Sequence, residues 1–179
     1  MLSQFLENPG EAHWEAVKQV FCYLLGTHNI ALTYGGERHN LLGYTDADRA
    51  SQEHHQAISG HMFIIDRGTV SWSLQKQELV TLSTAEVEYV VVTHATKEGI
   101  WLRHLAGEIL TSKPESMTLY CDNQAALKLV RDDNYHACMK HINICYHFIW
   151  DVVEWGLIEL QYCPMDDMTA DILTKVLLC

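Results

Sequence analysis

The sequence predicts an α/β protein with a mixed five-stranded sheet and helices packed on it. Two observations lead to this prediction. After a first helical segment, three strand-like segments follow one another with no helix between them, and the later strands alternate with helical segments. Strands joined by short turns pair antiparallel and strand–helix–strand units pair parallel, so this order gives a mixed sheet. A chain of 179 residues, 48% of them hydrophobic, is long enough for one ordinary domain with a core.

Each element follows from the apolar periodicity and from the residues that interrupt it. Helices are expected at 11–26, 84–110, 123–130, 139–155 and 167–177, and strands at 41–46, 59–66, 69–74, 117–121 and 157–163. Gly68 is expected to form the turn of the early hairpin, Gly156 to end a helix and Pro164 to break the last strand. Ser83 and Glu86 have the spacing of a capping box at the start of the long helix.

The longest predicted helix carries an apolar stripe. Trp101, Leu102, Leu105 and Ile109 recur at helical spacing. Residues three and four apart share one face of a helix, so we expect this stripe to pack into the core.

The charge balance and the cysteines restrict the class of protein. The net charge is −11, whereas free-standing nucleic-acid binders usually carry a basic surface. Any contact with nucleic acid should therefore be local, assisted by metal ions, or helped by attached domains. The six cysteines include no Cys-x-x-Cys pair, no signal peptide is visible, and no apolar run reaches the roughly 20 residues of a membrane span. We therefore expect an intracellular protein with reduced thiols.

Four acidic residues stand where the predicted elements meet. Asp46 and Asp122 end strands that should be neighbours, Glu88 lies in the second turn of the long helix, and Asp171 lies in the first turns of the last helix. Strand ends and helix starts gather at one edge of such a sheet, so the carboxylates should meet there. Clustered carboxylates repel one another unless a cation neutralises them, and hard oxygen ligands favour Mg²⁺ or Mn²⁺.

Each of these acids, taken alone, also has a structural explanation. An aspartate after a strand often forms a turn, and Asp122 could simply cap the helix that follows it. Glu86 competes with Glu88, but Glu86 already has the capping position. Asp48 follows Asp46 by two residues and could take its place.

A second cluster of possible ligands lies on one helical face. Cys138, His141 and Cys145 have the spacing with which a zinc site could start. No fourth ligand is evident, so we favour contact of His141 and its neighbour Lys140 with a substrate backbone, or a surface histidine.

Several motifs, taken in order, resemble the ribonuclease H domain of copia-type long-terminal-repeat retrotransposons. Those that carry the acids are 42–48, 82–89, 119–124 and 170–175. Further matching stretches are 59–60, 70–73, 76–77, 97–102, 140–141 and 146–149. Residues 5–34 resemble the segment that joins reverse transcriptase to this domain. We therefore expect 1–40 to be a helix and linker from that connection and 41–179 to be the ribonuclease H-like domain.

The resemblance implies a ribonuclease H-like fold and hydrolysis of the RNA strand of RNA–DNA hybrids during reverse transcription. It implies that Asp46, Glu88, Asp122 and Asp171 are catalytic and bind two Mg²⁺ ions, with Mn²⁺ as a substitute. The implied partners are the hybrid and the reverse transcriptase portion of the same polyprotein, in a cytoplasmic virus-like particle or in the nucleus. Candidate substrate-binding residues are Lys76, Asn123, Gln124, Lys140, His141 and Lys175.

Other positions depart from the family's pattern. Cys22, Gln56, Cys138 and Trp150 stand where relatives tend to have basic residues, and each lost basic residue removes a contact to phosphate. The alternative hypothesis is a degenerate, catalytically weak or inactive remnant of a retrotransposon polyprotein that acts at most as a binding or structural module. An integrase core is disfavoured, because it needs a late glutamate in place of Asp171.

Overall fold

The chain divides into two units. A computed structural model describes residues 2–35, 40–48, 57–77, 84–110, 116–131 and 143–174. The units are Met1–Thr33 and Tyr34–Cys179. The assignment of 1–40 to a connection segment, and of 41–179 to the functional domain, stays a prediction.

The first unit is built around one helix, α1 (Glu11–Thr27), which ends one residue later than predicted. The ring of Phe5, in a preceding 3-10 turn, stacks on His13 with 4.1 Å between the ring centroids. The backbone N–H of Gly10 donates to Nδ1 of His13 at 2.9 Å, which satisfies a donor at the helix start. No residue of α1 is buried, and apolar side chains such as Phe21 are exposed.

The second unit contains one mixed five-stranded sheet, as the sequence predicts. The strands are β1 (Leu41–Asp48), β2 (Ile58–Ile65), β3 (Gly68–Lys76), β4 (Met117–Cys121) and β5 (Ile158–Tyr162). Their order across the sheet is β3-β2-β1-β4-β5. β1 pairs antiparallel with β2, and β2 with β3, whereas β1 pairs parallel with β4, and β4 with β5. The hairpin-linked strands and the strand–helix–strand units therefore lie on opposite sides of β1.

Helices cover the sheet of the second unit. They are α2 (Thr84–Ile109), α3 (Gln124–Arg131), α4 (Asn143–Glu154) and α5 (Asp171–Thr174). α2 packs on β1 and β2, and its residues Tyr89, Val92 and Ala95 join Phe63 and Leu119 in the main core. None of the helices in the described part of the chain has the length and apolar character that a membrane crossing requires.

The buried face of α2 differs from the predicted stripe. Leu102 and Ala106 are each 5% exposed, but Trp101 is 56% exposed and Ile109 72%. Neighbouring residues of a helix point about 100° apart, so a face centred on Leu102 directs Trp101 away from the sheet. The stripe prediction is right for Leu102 and wrong for Trp101 and Ile109.

The turn between β2 and β3 also differs from the prediction. Asp66 and Arg67 form it, with φ of 51° and 67°, and positive φ at both central residues is typical of a type I′ hairpin turn. Gly68 instead begins β3, where a Cβ would lie 2.4 Å from the Tyr34 ring. The Tyr34 hydroxyl donates to the carbonyl oxygen of Thr69 at 2.8 Å. The sequence needs glycine at 68 for the close approach of Tyr34, and not for the turn.

Two element boundaries are corrected by the structure. β1 continues past the predicted end at Asp46 to Asp48, because it keeps pairing with β2. The predicted last helix is not continuous from residue 167. A 3-10 turn at Met165–Asp167 comes first, the extended Met168 follows with ψ of 94°, and α5 begins only at Asp171. Residues 175–177 of that predicted helix lie outside the described part.

The end of α4 agrees with the prediction. Gly156 has a φ of 66° and donates its N–H to the carbonyl oxygen of Val153 at 3.0 Å. The N–H of Leu157 donates to the carbonyl oxygen of Val152 at 3.1 Å, which completes a glycine-terminated helix end. The predicted start of this helix at 139 and the capping residue Ser83 fall outside the described residues.

Candidate metal-binding site

Two of the predicted acids meet at one edge of the sheet because their strands are neighbours. β1 and β4 pair in parallel, with Thr45 opposite Cys121. Asp46 and Asp122 are the next residues along each strand, so both carboxylates lie at the same edge. Asp46 is only 3% exposed, whereas Asp122 is half-buried.

Glu88 lies on the second turn of α2, against this edge, and is 6% exposed. The pKa of Glu88 is raised to about 9, mainly by burial and then by the negative charges of Asp122, Asp46 and Asp171, in that order. A hydrogen bond from the backbone N–H of Ala47 acts in the opposite direction and favours the ionised carboxylate. The other oxygen of Glu88, Oε2, is buried and accepts no hydrogen bond within the described part of the chain. The four predicted acids are therefore close enough to interact electrostatically.

The cluster is completed by α5. Asp171 is its first residue, and Thr174, one turn later, donates a hydrogen bond from its hydroxyl to Oδ2 of Asp46. Gly60 of β2 pairs with Asp46, and a Cβ at Gly60 would lie 2.9 Å from Cγ2 of Thr174 and 3.3 Å from Cβ of Leu173. Glycine at this position therefore leaves the space in which α5 packs against β2 and fixes Asp46.

Thr174 is a site residue that the sequence reasoning missed. The spacing in the sequence could have indicated Thr174, because Asp171 and Thr174 are three residues apart and share one face of a helical turn. Thr174 is 6% exposed, so its hydroxyl needs a buried acceptor, and the Asp46 carboxylate provides one.

We expect Thr174→Val to weaken metal binding by about 10- to 100-fold, since groups that orient a ligand from behind contribute that much. The valine keeps the shape of the side chain but removes the donor to Asp46. Manganese titrations followed by thermal melting measure the affinity. Thr174→Ser, which keeps the hydroxyl, should bind like the parent. Equal affinities of Thr174→Val and the parent would contradict the orienting role.

A cysteine also belongs to the cluster. Glu88, Cys121 and Asp122 each place one donor atom within 4.8 Å of the others. Burial, with Glu88 as the second cause, raises the pKa of the Cys121 thiol to about 12, so the thiol stays protonated near neutral pH. The donors available to an ion are then carboxylate oxygens, and this hard donor set fits Mg²⁺ or Mn²⁺.

Asn123 and Asp122 are neighbours in the sequence, but only Asn123 caps α3. Oδ1 of Asn123 accepts the N–H groups of Ala125 at 2.9 Å and Ala126 at 3.1 Å. Asn123 is therefore the N-cap, and the structural alternative for Asp122 as the cap of this helix is wrong. The Asp122 carboxylate remains with Glu88 instead.

Only two of the remaining predicted substrate residues, Lys76 and Gln124, lie in the described part. Lys76 is exposed at the end of β3, and Gln124 is exposed at the start of α3. Lys140, His141 and Lys175 lie outside the described residues, as do Gln56 and Cys138. The possible zinc set of Cys138, His141 and Cys145 therefore stays a prediction. Cys22 is exposed on α1, and Trp150 is 37% exposed on α4. The substrate-binding roles stay predictions.

Comparison with known proteins identifies relatives of the chain. No family model matches the chain. It is 40% identical, over 177 residues and 98% of its length, to the retrovirus-related Pol polyprotein from transposon TNT 1-94 of Nicotiana tabacum. It is 35% identical over 179 residues to the corresponding polyprotein from transposon RE2 of Arabidopsis thaliana. A third relative, secreted RxLR effector protein 161 of Plasmopara viticola, is 42% identical over 105 residues, which is 57% of this chain and 73% of that protein.

Solved structures agree on the architecture. LC11-RNase H1, isolated from compost, superposes with a TM-score of 0.52 at 13% identity, covering 76% of this chain and 93% of that one. The N-terminal RNase H domain of a Mycobacterium tuberculosis protein gives 0.51 at 12% identity, covering 76% and 91%.

The fold is therefore the ribonuclease H fold, and its acidic edge is a candidate metal site. The chain belongs to the family of retrovirus-related Pol polyproteins of transposons, as its motifs predicted. It spans only 13% and 12% of the length of the Nicotiana and Arabidopsis polyproteins.

Proposed function

We propose that this chain is a metal-dependent endonuclease that hydrolyses the RNA strand of RNA–DNA hybrids during reverse transcription by a retrotransposon. One observation carries the proposal. Glu88 is buried beside Asp46, Asp122 and Asp171 strongly enough to raise its pKa to about 9. Such a cluster is unfavourable for folding by itself, and it is a common arrangement where carboxylates hold catalytic cations.

The surrounding residues fix the carboxylates in place. The Thr174 hydroxyl donates a hydrogen bond to Asp46, and the backbone N–H of Ala47 donates one to Glu88. Asn123 takes the capping role and leaves the Asp122 carboxylate for the site. We assign Asp46, Glu88, Asp122 and Asp171 to two Mg²⁺ ions, with Mn²⁺ as a substitute. When bound, such ions supply an activated water and stabilise the charge on the leaving oxygen.

The relatives support the choice of substrate and partner. Because the matched relatives are Pol polyproteins, we assign the RNA–DNA hybrid as substrate and the reverse transcriptase portion of the same polyprotein as partner. An RNA strand is distinguished from DNA by its 2′-hydroxyl groups, which a hybrid presents across its minor groove. Reverse transcription takes place inside the cell, so the proposal includes an intracellular location in a virus-like particle or the nucleus.

The test is cleavage of a hybrid with a labelled RNA strand. We expect RNA fragments with Mg²⁺ or Mn²⁺, none with EDTA, and no cutting of the DNA strand. The Asp122→Asn variant should be inactive, which excludes a contaminating nuclease. A purified, folded chain that binds Mn²⁺ but leaves the hybrid intact would instead favour the degenerate remnant.

A further inference from the structure

A polar groove lies between α2 and the β2–β3 hairpin, on the face of the sheet that α2 covers. One cavity in it encloses about 320 Å³, and its lining includes Ser59, His61, Ser73, Gln77 and His94. A second cavity shares His61, Ser73 and His94 with the first and is also lined by Ser71, Lys97 and Glu98. We treat the two cavities together as the groove. Contacts between a helix and a sheet are normally apolar, so this set of polar side chains requires an explanation. Part of it is structural, since Nε2 of Gln77 donates to Oγ of Ser59 at 2.6 Å and to the carbonyl oxygen of Val87 at 3.2 Å.

His61 has no structural explanation of this kind. It is 9% exposed and lines the groove, and its ring meets Phe63 edge-on at 5.8 Å between centroids. Neither ring nitrogen of His61 makes a hydrogen bond to the residues that the structure describes. Burial lowers the pKa of His61, so its imidazole is neutral near pH 7 and keeps a nitrogen lone pair.

Two further donors face His61 from α2. His94 and Glu98 are four residues apart on the helix and therefore share one face. His61 is close enough to both for their charges to act on its pKa in opposite directions, with Glu98 raising it and His94 lowering it. Oγ of Ser71 donates to Oε1 of Glu98 at 2.8 Å, which holds that carboxylate at the groove.

We propose that His61, His94 and Glu98 bind a transition-metal ion of the zinc class, which ties α2 to β2. Two imidazoles and one carboxylate form a common ligand set for such ions. Among the described residues only the carboxylate cluster already holds three donor atoms within 4.8 Å, so the exposed His94 side chain must rotate to close the site. Glu98 repels an anion, which makes phosphate the poorer occupant although Lys97 also lines the groove. This site is separate from the proposed nuclease site and does not depend on its activity.

The probe is Co²⁺, whose visible absorption reports its ligands, with Zn²⁺ thermal shifts as the second readout. The full chain carries Glu88→Gln and Asp122→Asn throughout, so that the carboxylate cluster does not compete. In this background we expect Co²⁺ to bind and Zn²⁺ to raise the melting temperature. His61→Gln and His94→Gln should each weaken Co²⁺ binding at least about tenfold, since each removes one ligand. His104→Gln, at an exposed position elsewhere on α2, is the matched control and should bind like the background chain.

Three results would overturn the proposal. The first is Co²⁺ affinity in His94→Gln equal to that in His104→Gln, and because position 94 is exposed this variant should fold even if His61→Gln does not. The second is a cobalt–thiolate absorption band, which would assign the ion to cysteines. The third is a rise in melting temperature with inorganic phosphate but none with Zn²⁺, which would make the groove an anion site.

Discussion

Without metal ions at pH 8, the Glu88→Gln variant is expected to be more stable than the parent chain by a few kcal/mol. The pKa of Glu88 rises from 4.5 to about 9 on folding, because of burial first and Asp122 second. The folded chain must therefore keep Glu88 protonated at pH 8, whereas the unfolded chain ionises it. Each pH unit between these two values favours unfolding by up to about 1.4 kcal/mol, and glutamine has nothing to ionise.

Stability falls as the pH rises because Glu88 has a higher pKa in the folded chain than in the unfolded chain. The stability associated with Glu88 is fully present below pH 4.5 and is lost as the pH rises toward about 9. Urea unfolding in EDTA between pH 5 and pH 8 measures it. The parent should lose stability across this range relative to Glu88→Gln, and Glu86→Gln, at another buried glutamate of α2, should follow the parent.

Added Mn²⁺ should reverse this difference. A bound cation stabilises the ionised form, so it should raise the stability of the parent by mass action and that of Glu88→Gln much less. If the parent and Glu88→Gln show the same dependence on pH and on Mn²⁺, Glu88 does not ionise in the cluster that we describe.

The second large effect concerns Asp46. We expect Asp46→Asn to reduce cleavage of the hybrid by at least about 100-fold, because even the groups behind a metal ligand contribute 10- to 100-fold. Asp46 is 3% exposed, accepts the Thr174 hydroxyl and acts on the pKa of Glu88. The matched control is Asp48→Asn, two residues later on the same face of β1, where the effect should be small.

Initial rates on the labelled hybrid at saturating Mn²⁺ compare the two variants. Melting temperatures in EDTA show whether each variant is folded. An inactive Asp48→Asn beside an active Asp46→Asn would mean that the sequence alternative, in which Asp48 replaces Asp46, is the right assignment.

The arrangement of the acidic edge could be predicted from the sequence because it depends on topology. Hairpin spacing and strand–helix alternation predict that β1 and β4 are neighbours, which the structure confirms through the pairing of Thr45 with Cys121. Glu88 and Asp171 could be placed because each lies near the start of a helix. Apolar periodicity predicts the order of the helices and strands, and that order alone is enough to place these acids at one edge.

Features that depend on contacts between distant segments could not be predicted. Gly68 looks like a turn residue, but the reason for glycine there is the ring of Tyr34, which is far away in the sequence. Thr174 gains its role from Asp46, 128 residues away. Trp101 and Leu102 both belong to the predicted apolar stripe, yet only the position of the sheet decides which of them is buried. These outcomes are decided by packing, and local pattern contains no information about it.

The protonated thiol of Cys121 bears on which cations the acidic edge can bind. With its pKa raised to about 12, the sulfur carries a proton and offers little to a hard ion, which therefore meets oxygen alone. A thiophilic ion such as Cd²⁺ must first displace that proton, and it then gains a sulfur ligand within 4.8 Å of two carboxylates. In the proposed metal site we therefore expect discrimination between hard and soft cations to depend on whether the Cys121 thiol keeps its proton, because loss of that proton adds a sulfur ligand to the carboxylate oxygens.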